Sequence, residues 1–168
     1  MKKMRCLTSG AVSICFGLAV LSGGCGSRKE IAGNYNYKTE CMGSELDGSI
    51  TVKAWGNGRN SSDALEQAKK NAVNDVLFNG IREGKSLCRQ MPLLPAGNAR
   101  IKNEDYFYDF FRDGGEFLKY VSLQDERYSD KWNRERKGAR QSVTYGIVLR
   151  VHRSELKKRL INDGILKQ

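Results

Sequence analysis

Few side chains in this chain could do chemistry. His152 is the only histidine, and it stands between Arg150 and Arg153. General acid–base work needs a partner that holds the imidazole, and two neighbouring guanidinium groups disfavour its charged form. No serine or cysteine is spaced with it as a nucleophile would be. Cys41 and Cys88 form another candidate pair. A zinc site takes four ligands, mostly Cys and His, so one histidine argues against metal. A structural disulfide and two free thiols both remain open. Gly56-Asn57-Gly58 leads from an apolar alternation into a helical one, as a phosphate loop would. It lacks the third glycine of a dinucleotide fingerprint and the Lys-Ser/Thr of a P-loop, and so reads as a turn. No cofactor and no catalytic set is expected.

The N-terminus carries a different kind of signal. Lys2, Lys3 and Arg5 precede an uncharged run over residues 7–21. As a helix that run is roughly 22 Å long, short of the ~20 residues that span a bilayer core. A positive start, a short apolar run and a small-residue exit describe a secretory signal. The exit, Ser22-Gly23-Gly24-Cys25, resembles the lipobox of bacterial lipoproteins, with Leu21 four places before the cysteine. Ser22 and Gly24 also suit an ordinary signal peptidase. The resemblance implies a diacylglyceryl group on Cys25, which becomes the first mature residue. Gly26 after it implies sorting to the outer membrane, with the domain facing the periplasm. Cys6 and Cys15 leave with the signal. Without a lipid the other three are an odd number in an oxidising compartment; with Cys25 acylated, Cys41 and Cys88 are left to bond. The expected organisation is a signal at 1–24, a lipidated tether at 25–34 and a periplasmic domain at 35–168.

Formal charge is +10, and losing Lys2, Lys3 and Arg5 leaves +7 on the mature chain. Such a charge suits a solvated surface or an anionic partner. Export argues against nucleic acid, leaving anionic lipid, glycan or an acidic protein. The basic run Arg134, Arg136, Lys137 and Arg140 is the candidate contact for such a partner.

Alternation over residues 35–42 and 49–55, separated by the turn-forming 43–48, predicts a β-hairpin. Asp63 and Glu66 have capping-box spacing. Ala64, Leu65, Ala68, Ala72, Val73, Val76 and Leu77 then recur every three or four residues, which predicts an amphipathic helix ending near Gly80 and Gly84. Residues 81–103 read as loop, followed by a short helix through the aromatic 106–111. Residues 116–124 read as a strand, 125–140 as a polar connection, 141–152 as the strongest strand and 154–163 as a final helix. The order β-β-α-(α)-β-β-α predicts a single α+β domain, an antiparallel sheet of about four strands with helices on one face.

A strand ending Ala54-Trp55-Gly56-Asn57-Gly58, followed by Ala64, Ala68 and Ala72, is similar to the N-terminal domain of flagellar assembly protein T and related envelope lipoproteins. That resemblance spans residues 49–82 and implies an assembly role without catalysis. Five aromatics within 106–111 exceed what one helical face can bury. Tyr106, Phe107, Phe110 and Phe111, with Leu93 and Leu94 of the Pro-flanked loop, are therefore the candidate protein contact. The expected function is a non-enzymatic, outer-membrane-anchored subunit of an envelope complex such as a secretion apparatus. The alternative is a periplasmic module that binds wall polymer or another anionic glycan through the basic run.

Overall fold

The computed structural model describes residues 38–88, 90–123, 134–139 and 142–167, with backbone alone for Leu87 and for 134–139. The chain divides into Met1–Ile31 and Ala32–Gln168, and every described residue belongs to the second unit.

That unit is an α+β domain. Its strands are β1 (Glu40–Ser44), β2 (Ile50–Gly58), β3 (Glu83–Gly84), β4 (Val121–Leu123), β5 (Arg134–Ala139) and β6 (Ser142–Val151). Its helices are α1 (Ser61–Asn74), α2 (Ala99–Lys102), α3 (Glu104–Phe111) and α4 (Arg153–Asn162). The sheet order is β3-β1-β2-β6-β4, with β5 also paired to β6. All pairings are antiparallel except the two-residue β1–β3 pair, which makes the sheet mixed. β4 and β5 share one side of β6: Leu123 pairs with Leu149 and Arg134 with Ile147.

The centre of the sheet is β2 on β6, in register from Ile50–Val151 to Gly58–Val143. Strand side chains alternate between faces, so Ile50, Val52, Ala54, Gly56 and Gly58 share one. α1 lies on that face, with Ala64, Ala68 and Ala72 wholly buried. Contact is closest where β2 has no side chain. A Cβ on Gly56 would stand 2.0 Å from the Ala64 carbonyl oxygen and 2.3 Å from the Ala68 nitrogen. On the opposite face the Trp55 indole lies over Gly146, where a Cβ would meet the ring at 2.8 Å.

α1 begins two residues before Asp63. Asn60 is the cap, its Oδ1 accepting the Asp63 amide at 2.9 Å, because a β-region residue must precede the first helical turn. The helix ends in a π-turn over Asp75–Asn79, closed by Gly80 at φ 72°. Its last carbonyls lack intrahelical donors; the Leu93 and Leu94 amides donate to Val76 and Leu77 at 3.0 and 2.8 Å. This buries both leucines, which corrects their assignment as a protein contact: their backbone caps a helix end and their side chains fill the core.

Two further expectations change. Residues Glu116–Tyr120 form a 3₁₀ turn, and only Val121–Leu123 are strand. The tighter turn puts Glu116 and Lys119 at i,i+3, where they pair at 3.1 Å, and drives Phe117 fully into the core. Part of the polar stretch 125–140 is strand β5, which satisfies the backbone of β6 from Ser142 to Ile147.

Cys41 of β1 and Cys88 are disulfide-bonded, Cα atoms 6.1 Å apart, across a sequence separation of 47. Both are buried. Closing a loop of that length stabilises the fold by about 4 kcal/mol on chain-entropy grounds. The Cys41→Ser/Cys88→Ser double variant should therefore lose about that much in urea unfolding; an unchanged midpoint would contradict it. Gly56→Val should cost about 3 kcal/mol by overpacking. Gly97→Val, where a Cβ meets nothing within 4 Å, provides the control and should differ little.

Candidate functional site

Three places gather polar side chains. The first is where the chain enters the domain. The Thr39 hydroxyl donates to the Asp75 carboxylate, whose other oxygen accepts from Asn79 Nδ2 at 2.6 Å. Lys38 pairs with Glu83 at 3.0 Å. Asn71 Nδ2 of α1 donates to the Trp55 carbonyl at 2.8 Å. Thr39 is thus fastened to the π-turn and Lys38 to β3. A shallow cavity of about 370 Å³ lies over these groups.

The second place is the end of the sheet around His152. Ser122 Oγ lies 3.4 Å from His152 Nε2, a proximity that sequence spacing did not reveal because it arises from β4 pairing with β6. Asp47, close by, is already engaged: Ser49 donates to it from both its hydroxyl and its amide, holding its carboxyl below the usual carboxylate range. Both Ser122 and His152 sit at the surface. Among the described residues no hydrogen bond fixes the other imidazole nitrogen, so the pair lacks the orienting group that a serine nucleophile needs.

The third place is α3 and its surroundings. Helix periodicity splits its aromatics. Phe107 and Phe110 point into the core, each 3% exposed or less. Phe107 packs edge-on to Phe78 at 4.9 Å and Phe110 edge-on to Phe111 at 5.0 Å. The assignment of Phe107 and Phe110 to a protein contact is thereby corrected: they hold α3 to the body. Tyr106 and Phe111 are half-buried at the margin. Tyr106 donates to Asp163 at 2.7 Å, and Arg159 holds the same carboxylate at 2.7 Å while reaching Glu116 at 3.2 Å. Burial and the bond to Asp163 raise the Tyr106 phenol to about 12.

The outward stripe of α3 is Glu104, Tyr108, Phe111 and Arg112, at the spacings that share a helical face. It lines a groove of about 510 Å³ whose far side is Lys70 of α1, with Arg100 and Asp113 at the ends. Sequence reasoning did not single out Glu104, Tyr108, Arg100 or Arg112. For three of them the signal was present as i+4 spacing through 104, 108 and 112, masked by the aromatic density around it. Lys70 is neutralised by Asp113 at 2.5 Å and by Glu66 at 3.8 Å.

Of the basic residues assigned to an anionic partner, Arg134, Arg136 and Lys137 lie in β5, opposite Ile147, Tyr145 and Thr144. Arg140 lies outside the described residues, as does Cys25. No helix among the described residues is long and apolar enough to cross a membrane.

The phenol of Tyr106 is neutral when protonated, and folding raises its affinity for the proton. Its contribution is complete below pH 10 and is lost as pH climbs from 10 towards 12. Ultraviolet titration should show one tyrosine ionising about two pH units late, and Tyr106→Phe should remove that step. A wild-type titration in which every tyrosine ionises near 10 would contradict the buried hydrogen bond.

No protein-family model, curated protein or solved structure matches the chain.

Proposed function

We propose that this protein is a lipid-anchored, non-enzymatic subunit of a bacterial envelope assembly, held to the outer membrane through Cys25 with its α+β domain in the periplasm. The observation that carries the reading is the Cys41–Cys88 bond. Five cysteines occur in the chain, and two lie in the signal-like run. With Cys41 and Cys88 joined and buried, Cys25 is the one cysteine left for another purpose, and it stands where a lipobox cysteine would. A disulfide also accords with an oxidising compartment.

The fastening of Lys38 and Thr39 suits a tethered domain. Through these contacts the pull of an N-terminal anchor would pass to the π-turn and to β3. An extended chain spans at most about 3.6 Å per residue, so residues 26–37 place the domain within roughly 45 Å of the bilayer. That distance allows it to meet membrane-embedded subunits of a secretion or motility structure.

The test is Cys25→Ser expressed in a Gram-negative host. The wild-type chain should incorporate radiolabelled palmitate and sediment with outer membranes. The variant should lose the label and appear in the soluble periplasmic fraction. A variant that still carries label or still fractionates with membranes would overturn the anchor.

A further inference from the structure

We infer that the groove along α3 is a binding site for an acidic saccharide, a sugar chain bearing carboxylates. This goes beyond the anchoring role and does not depend on it. The groove's volume of about 510 Å³ falls within the range of small-ligand sites. Its charges are not self-compensated. Lys70 and Asp113 neutralise each other. Arg100 bonds only the neutral Asn74 side chain, at 3.2 Å, and lies 5.6 Å from the Phe78 ring centre. Among the described residues neither Arg100 nor Arg112 has a carboxylate within ion-pairing distance, and Glu104 has no cation. Two guanidinium groups and one carboxylate, none of them in an ion pair, therefore line the groove.

This combination selects the ligand. The two guanidinium groups without a carboxylate partner favour an anion, and guanidinium forks bind carboxylates with two parallel hydrogen bonds. Glu104 would repel a uniformly acidic peptide, yet it accepts hydrogen bonds from hydroxyl groups, which a sugar supplies in number. Tyr108 is 77% exposed, an aromatic plate on which the apolar face of a sugar ring can lie. Phe111 extends that surface into the floor. Arg100 and Arg112 line the same groove as Tyr108, so both guanidinium groups are available to carboxylates on a sugar chain lying in it.

The test is calorimetric titration of the detergent-solubilised full-length protein with trigalacturonate. Binding is expected with a Kd of about 1 mM or tighter. Tyr108→Ala and Arg112→Gln should each weaken it about tenfold, while thermal melting stays unchanged because both side chains are exposed. A neutral trisaccharide and tri-aspartate should each bind at least about tenfold more weakly than trigalacturonate. Absence of trigalacturonate binding, binding that both variants leave intact, or tri-aspartate binding equally well would each overturn the inference. Should either variant melt early, Arg112→Lys replaces it: charge is kept and the fork lost, and weakened binding is still required.

Discussion

The approach of α1 to β2 governs the rest of the domain. Three alanines on one helix face meet a strand that presents Gly56 and Gly58, and backbone nearly touches backbone. Interiors pack at crystal-like density, so such a contact leaves no tolerance for added volume. It also sets where everything else can go. With α1 seated this low, larger residues complete the core around it, among them Leu77, Ile81, Leu149, Val151, Leu156 and Leu160. The Trp55 indole over Gly146 gives the opposite face a matching close contact. The two central strands are therefore gripped from both sides at adjacent positions.

The periphery is fastened to this centre by polar and covalent links rather than by bulk. The segment after α1 is short of regular structure, yet it is tied four ways: by the disulfide to β1, by the Ile81–Gln90 bridge, by β3, and by the Leu93 and Leu94 amides on the helix end. On the far flank, Arg159 joins Asp163 and Glu116, bringing α4, the 3₁₀ turn and α3 together through Tyr106. These links sit at half-exposed positions. Surface ion pairs contribute little energy singly, so their main effect is to fix the orientation of α3. That orientation decides which of its side chains face solvent, and so defines the groove.

Elements with strong periodicity were legible from sequence: β2, α1, β6 and α4 all occur within a few residues of where alternation or helical spacing places them. What was not legible depended on distant partners. β5, RERKGA, has no apolar alternation and forms because β6 offers it an edge. EFLKY alternates like a strand, but the i,i+3 pair of Glu116 and Lys119 and the burial of Phe117 favour a tighter turn. Leu93 and Leu94, between two prolines, could have been exposed or buried, and the unfilled carbonyls of the α1 end explain why they turn inward. The aromatic run announced its importance without saying which rings were structural. The groove became visible only once Phe107 and Phe110 were seen to face the core.

Native-state hydrogen exchange tests the central claim most directly. If the α1–β2 contact is the part on which the rest depends, amides of Ala68, Ala72, Val52 and Ala54 should exchange only through global unfolding and share one free energy. Amides of α3 and of β4 should open at lower cost. Exchange of the α1 amides through a smaller, local opening, while α3 stays protected, would contradict the account.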